Sequence, residues 1–344
     1  MKTYRLGTTD IQASQIGFGG LPIQRVSEAE AVRLVRRAAE GGITLFDTAY
    51  GYTDSEEKLG IALSDVRKGI CIATKVSGAQ TGEEATERLN TSLRRLQTEY
   101  VDIIQFHFAK RVFCPGDEDG MYDAMLRAKE QGKARYIGIT THRLDVAVDA
   151  AKSGLYSTVQ FPLSYLSSPE ELELIEICRT HGVGLLAMKG LAGGLLRNAA
   201  AVHAFFQEHE AGCRPLYGIQ YPHELEEFLG YVENPVNYAE VADTIACDRK
   251  ELSGEFCRAC GYCMPCPAGI EINVAMRVNV LLRRAPVAGF MEQESFDMMQ
   301  KTKECTGCGQ CHTRCPYELD PPSVFPKQRE EYMKTYAAYW AARK

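Results

Sequence analysis

Several features that would direct the chain to a membrane, a nucleic acid or an export route are missing. No stretch approaches the roughly 18 uncharged apolar residues that a spanning helix needs, so no membrane partner is expected. Basic residues are not in excess: 39 Lys and Arg stand against 45 Asp and Glu, a formal net charge of −6. A general nucleic-acid binder would need a basic face, and that class is set aside. The opening residues, Met1-Lys2-Thr3-Tyr4-Arg5-Leu6-Gly7, hold no apolar run of the kind that directs export, which predicts a cytoplasmic protein. A dinucleotide-binding GxGxxG after the first strand is also missing, because Gly17-Phe18-Gly19-Gly20-Leu21-Pro22 does not fit it. That disfavours an open doubly wound sheet.

Hydrophobic residues make up 45% of the 344 positions and charged residues 24%, ordinary for a globular enzyme with one large core and a smaller second unit. From about residue 15 to 234, short β-rich apolar runs alternate with amphipathic helical stretches. The runs are Gln15–Gly19, Thr44–Ala49, Gly69–Val76, Val101–Phe108, Tyr136–Thr141, Thr158–Ser164, Gly184–Lys189 and Pro215–Gln220. Eight such units in a row predict an α/β fold, a (β/α)₈ TIM barrel over residues 1–235. Tyr4–Gly7 and Ile11–Ser14 read as a small hairpin suited to plug its bottom. Beyond Asn234-Pro235 the alternation stops, and Asn234–Glu251 reads as a linker with some helix. Residues 236–325 are expected to form a small α-rich ferredoxin-like domain, and 326–344 a C-terminal surface helix.

Cysteine is abundant: there are 13, eight of them between Cys257 and Cys315. A reducing cytosol disfavours disulfides, so this density points to metal or cluster ligation. Cys71, Cys114, Cys178, Cys213 and Cys247 are scattered, and most read as small buried residues. One motif is Cys257-x2-Cys260-x2-Cys263-x2-Cys266-Pro267; the other is Cys305-x2-Cys308-x2-Cys311-x3-Cys315-Pro316. A CxxCxxC arc lets three thiolates cap three irons of one cubane, while the Cys-Pro cysteine serves the opposite cluster. The expectation is two [4Fe–4S] clusters, one on Cys257, Cys260, Cys263 and Cys315, the other on Cys305, Cys308, Cys311 and Cys266. The first motif is one residue shorter before its last cysteine than the usual spacing. Two structural zinc sites are the alternative, although zinc usually pairs two distant CxxC knuckles.

Chemistry in a barrel collects at the carboxyl ends of its strands. Asp47 ends the second apolar run, with Tyr52 in the following loop; Lys75 ends the third and His107 the fourth. These four suit carbonyl reduction. Hydride delivered to a carbonyl carbon leaves an alkoxide that must take a proton, and Tyr52 can supply it. Lys75 is expected to lower the tyrosine pKa, Asp47 to hold Lys75, and His107 to fix the carbonyl oxygen. Taken singly, each has a plain structural reading as an ion pair, loop residue or core histidine.

The surrounding residues resemble the aldo-keto reductases: Phe46-Asp47-Thr48-Ala49-x2-Tyr52-x2-Ser55-Glu56-x2-Leu59-Gly60, Thr74-Lys75, Tyr100-Val101-Asp102-x2-Gln105-x-His107, Lys133-Ala134-Arg135-Tyr136-Ile137-Gly138-Ile139 and Leu191-Ala192-Gly193-Gly194. The similarity covers about residues 3–230, and the group it resembles carries C-terminal 4Fe–4S ferredoxin motifs. It implies a catalytic tetrad of Asp47, Tyr52, Lys75 and His107 with Tyr52 as general acid. It also implies a nucleotide site at Thr140, Thr141, Gln160, Met188, Lys189, Gly218 and Gln220. Departures are visible there. Thr140-Thr141-His142 stands where the family has Ser-Asn, Met188 where an aromatic ring often stacks, and Phe228 where an Asn closes the phosphate loop.

The function expected is therefore an NAD(P)H-linked reduction of a small-molecule carbonyl by a chain carrying two clusters. Nicotinamide gives hydride, whereas each cluster passes one electron, and no flavin is suggested to convert between them. Two alternatives follow: a reductase fed through its clusters by a ferredoxin-type donor or acceptor without nicotinamide, or an electron-transfer subunit of a larger complex. Phe108, Phe113, Tyr165 and Leu166 are candidate pocket-lining residues.

Overall fold

All eight apolar runs are strands in the computed structural model, which describes residues 1–344 apart from 195, 253–256, 258–260, 262, 285, 316 and 344. Cys260 and Pro316, expected in the cluster motifs, lie outside the described residues. The chain divides into two units, Met1–Ala192 with Leu196–Ile245, and Gly193–Leu195 with Ala246–Lys344.

In the first unit, β1 (Thr3–Arg5) and β2 (Gln12–Ser14) pair antiparallel as the expected hairpin. Leu6, Ile11 and Ala13 from it pack with the inward-facing Leu45, Ile103, Leu186 and Leu216, which closes the end of the barrel where strands begin. The barrel strands are β3 (Gly17–Gly19), β4 (Leu45–Asp47), β5 (Cys71–Lys75), β6 (Val101–Phe106), β7 (Ala134–Thr140), β8 (Thr158–Pro162), β9 (Gly184–Met188) and β10 (Cys213–Gly218). They close in the order β10-β3-β4-β5-β6-β7-β8-β9, every pair parallel. The apolar runs were legible because a parallel barrel strand is covered on both faces and has no solvent side to alternate with; β4, β5, β6 and β8 are buried throughout.

Helices alternate with these strands: α1 (Glu28–Glu40), α2 (Ser55–Leu63), α3 (Gly82–Arg95), α4 (Met121–Glu130), α5 (Leu144–Lys152), α6 (Pro169–Thr180), α7 (Ala199–Glu208) and α8 (Pro222–Glu233). Their starts follow local chemistry. Ser27 and Glu30 form a capping box on α1, and Ser168 with Glu171 does the same on α6, where Pro169 takes the first turn. The stretch read as a linker is a 15-residue helix, α9 (Tyr238–Leu252), which spans the division between the units.

The second unit is helical in its described residues: α10 (Ile272–Ala275), α11 (Val278–Arg284), α12 (Gln293–Lys301), α13 (Gln310–Thr313) and α14 (Pro321–Ala341). Its core gathers Ile270, Ile272, Val278, Met299, Phe325 and Tyr332. The C-terminal helix is thus more than a surface element. It starts at Pro321, buries Phe325 and Tyr332, and ties the Tyr332 hydroxyl to Phe290 O at 2.7 Å. No helix of the described residues is long and apolar enough to cross a membrane.

Candidate active site and cluster cavities

Period-2 alternation along each strand decides which side chains enter the barrel. Leu45, Ala73 and Ile103 face inward near the plugged end, so Asp47, Lys75 and Gln105, two residues on, face inward at the other. Lys75 Nζ donates to Asp47 Oδ1 and to Thr48 O, both at 2.6 Å. The two charged side chains are 1% and 6% exposed. Asp47 also accepts from Gln105 Nε2 at 3.2 Å and from Gln160 Nε2 at 3.3 Å, so β5, β6 and β8 each send a donor to one carboxylate on β4. Burial works against the Lys75 charge, but the Asp47 carboxylate and Tyr52 outweigh it and leave its pKa above 10.5.

Tyr52 sits in the β4–α2 loop, partly exposed, with Lys75 Nζ 5.0 Å from its ring centre. Its pKa departs from the expectation. Lys75 lowers it, by charge and by hydrogen bond, yet burial raises it more and the result lies above 10. The lysine offsets part of the desolvation and does not reverse it.

His107 follows β6 directly. Its ring stands edge-on to Tyr52, with centroids 5.8 Å apart and planes at 76°. Burial, helped by the charges of Lys75 and Lys189, pushes its pKa down to about 3, so the ring is neutral across the physiological range. Nδ1 is 2.6 Å from the Ser77 hydroxyl. Ser77 was not singled out from the sequence: it lies just past β5, where strand periodicity carries no signal. Gln105 was visible only as part of the strand motif.

The expected nucleotide residues are gathered only in part. Thr140 Oγ1 accepts from Phe108 N at 3.0 Å, and Thr141 Oγ1 donates to Ala109 O at 2.8 Å, so both hydroxyls hold the loop after β6. Gln160 Oε1 is buried with no hydrogen-bond partner among the described residues, an orphaned acceptor beside Asp47. Met188 ends β9, and Lys189 Nζ reaches His142 Nε2 at 2.8 Å. Gly218 ends β10 and pairs with Gly19. Gln220 N and Tyr221 N both donate to Glu224 Oε2, at 2.7 and 2.9 Å, so a carboxylate of this chain takes the amides at the start of α8. Of the candidate pocket residues, Phe113 stacks on Phe106 and Tyr165 is fully buried, both in packing roles. Phe108 is exposed and its ring lies 4.9 Å from that of His142.

In the second unit the described cysteines of the two motifs stand around two cavities. One is lined by Cys263, Cys266, Cys305, Cys308 and Cys311 beside Ile270. The other is lined by Cys257, Cys263, Cys311 and Cys315 beside Met276. Cys266 therefore faces the second motif, and Cys315 faces the first. Gly307 and Gly309 lie at φ of 66° and 72°, a conformation open to glycine, and let the loop between Cys305 and Cys311 curl around its cavity. Among the described residues no three His, Cys, Asp or Glu side chains close on a point that would hold a single ion. Thiolates spread around apolar-walled cavities suit a cubane better than one zinc ion. Of the scattered cysteines, Cys71, Cys178 and Cys213 are buried, Cys114 is half-buried and Cys247 exposed.

Comparison with known proteins fits both units. The profile of the aldo/keto reductase family matches residues 15–250, and that of a 4Fe-4S dicluster domain matches residues 256–320. L-galactose dehydrogenase of Arabidopsis thaliana is 34% identical over 209 residues, which is 56% of this chain and 66% of that protein. Aldo-keto reductase YhdN of Bacillus subtilis is 28% identical over 214 residues, 57% of this chain and 64% of that protein. The chain thus spans slightly under two thirds of the length of both relatives. Among solved structures, the holo form of aldo-keto reductase AKR11C1 from Bacillus halodurans superposes with a TM-score of 0.63 at 25% identity, covering 72% of this chain and 96% of that one. The closed parallel barrel, the side chains at its carboxyl end and the family profile agree, and the chain belongs to the aldo/keto reductase family, with a C-terminal 4Fe–4S dicluster domain.

Proposed function

We propose that the barrel reduces a small-molecule carbonyl with NAD(P)H, and that the C-terminal unit carries two [4Fe–4S] clusters. The observation that carries this reading is the contact chain Asp47–Lys75–Tyr52–His107, in which a lysine locked on a buried carboxylate faces a tyrosine and a neutral imidazole. A bound nicotinamide supplies the hydride. Tyr52, with a pKa above 10, keeps its proton until charge develops on the carbonyl oxygen, and then gives it to the alkoxide. The Lys75 ammonium stabilises the tyrosinate left behind, which regains a proton from solvent. His107, neutral, hydrogen-bonds the carbonyl oxygen without putting a competing cation into the site. The orphaned Gln160 Oε1 is a fitting acceptor for the nicotinamide carboxamide, and Lys189 with His142 a fitting contact for phosphate. Thr140, Thr141, Gly218 and Gln220 would shape the walls of the nucleotide groove.

The test begins with anaerobic purification and analysis for iron and sulfide against zinc, followed by titration of NADPH and NADH. Nicotinamide fluorescence reads binding, and visible absorbance reads cluster reduction. Binding is expected, and Tyr52→Phe is expected to keep it while losing turnover in a carbonyl screen. Failure of both nucleotides to bind would overturn the reading. One observation favours the second reading, in which a ferredoxin-type donor feeds the clusters: Glu224 takes amides that a nucleotide phosphate would otherwise use. Cluster bleaching by reduced ferredoxin, with no nucleotide binding, would select it.

A further inference from the structure

Ser77 Oγ touches two of the loops that carry the candidate catalytic groups. It accepts from Gly51 N at 3.2 Å, in the loop just before Tyr52, and lies 2.6 Å from His107 Nδ1. Its backbone is held on both sides: Ser77 N donates to Lys75 O at 2.9 Å, and Ser77 O accepts from the Arg88 guanidinium. A β-carbon at position 51 would stand 3.0 Å from Ser77 Cβ, tighter than ordinary contact, so a glycine there lets the amide come this close.

A serine hydroxyl has one proton. The Gly51 N–H can only donate, so it occupies a lone pair of Oγ and leaves that proton to be placed. If His107 carried its proton on Nδ1, Oγ would accept twice and its own proton would be left to solvent, with no acceptor for it among the described residues. With the proton on Nε2, the hydroxyl donates to Nδ1, so that Ser77 Oγ uses both its proton and a lone pair and Nε2–H is left free to donate. We propose that Ser77 is a positioning residue that holds His107 as the Nε2–H tautomer, so that the edge of the ring opposite Ser77 presents a donor to the substrate oxygen. Because the same oxygen anchors the amide of Gly51, one hydroxyl also sets the Tyr52 loop against the His107 ring. The catalytic part of this inference rests on the proposed reduction; the tautomer does not.

Nitrogen-15 NMR of the oxidised full-length holoprotein, labelled at histidine, reads the tautomer directly. His107 is assigned by the resonance lost in His107→Asn. The wild type is expected to show a protonated Nε2 and a bare Nδ1; a protonated Nδ1 overturns the proposal whether or not the Ser77 variants fold. Ser77→Ala is expected to mix the two tautomers, and Ser77→Thr, which keeps the hydroxyl, to restore one. In a carbonyl-reduction assay, Ser77→Ala should lower kcat about ten- to a hundredfold with nucleotide affinity unchanged, the equivalent of losing one part-buried hydrogen bond, and Ser77→Thr should recover it. An unchanged tautomer ratio in Ser77→Ala also overturns the proposal. If the barrel reduces no carbonyl, the proposed function fails while the NMR result still decides the tautomer.

Discussion

Removing one charge of the Asp47–Lys75 pair leaves the other buried beneath the barrel mouth. The side chains are 6% and 1% exposed and 2.6 Å apart, so neither ion can recover its hydration without opening the barrel. Breaking a buried pair costs roughly 3–5 kcal/mol, because the survivor is left uncompensated. The two single variants should differ within that range. Lys75→Met leaves Asp47 with Gln105 and Gln160 as long donors at 3.2 and 3.3 Å, and about 4 kcal/mol is expected. Asp47→Asn leaves the ammonium with Thr48 O and a neutral amide oxygen close by, and about 3 kcal/mol is expected. The double variant Asp47→Asn/Lys75→Met buries no charge and should cost clearly less than the sum, with a coupling of roughly 2–3 kcal/mol. For a unit of this size each kcal/mol moves Tm by about 2–4 °C, so the single variants should melt on the order of 10 °C lower. The assay must follow the barrel. The chain has one tryptophan, Trp340, which lies in the second unit, so its fluorescence reports the wrong transition. Circular dichroism read against cluster absorbance separates the two. Single variants within about 0.5 kcal/mol of wild type, or strictly additive ones, would refute the claim that this pair is desolvated and coupled.

Other predictions rest on separate features. His107 and His203 have pKa values pushed down to about 3 and about 4 by burial, against about 6.5 when unfolded. The unfolded chain therefore binds protons that the folded one refuses, so stability is complete above pH 6.5 and falls as pH drops toward 4. His203 has neither ring nitrogen hydrogen-bonded among the described residues, and His203→Phe should make that decline shallower in denaturant titrations; an unchanged slope counts against it. At Gly138 an added β-carbon would strike Thr158 Oγ1 and come within 3.1 Å of Gln105 Cγ. Gly138→Ala should cost about 1–3 kcal/mol by overpacking and, by displacing Gln105 from Asp47, lower turnover as well, whereas a neutral effect on both would show the layer to be loose. Finally, Cys315→Ser should deplete the cluster on the Cys257 side and Cys266→Ser the other, each halving iron content; loss of the same cluster in both would reject the crossed assignment.

Much of the architecture could be read from the chain before any coordinate. The eight barrel strands and the helices between them were legible because their determinants are local: fully apolar runs alternating with amphipathic stretches. Asp47, Lys75 and His107 were legible for the same reason, since a strand end fixes where a residue sits in a barrel. The cysteine motifs were legible from spacing alone.

What depended on distant parts of the chain was not. The direction of the Tyr52 shift is a balance between desolvation and the Lys75 charge, and only packing says which is larger. Gln105 on β6 and Gln160 on β8 meet at Asp47 on β4 because the barrel closes, a contact that spans up to 113 residues. Ser77 reaches His107, and Glu224 folds back on the amides of Gln220 and Tyr221, through loop paths that no periodicity encodes. Sequence by itself determined which chemical groups this protein has and on which strand ends they stand. Tertiary structure decided their protonation and their partners, because desolvation and hydrogen bonding depend on every neighbour brought near, however far away in the chain.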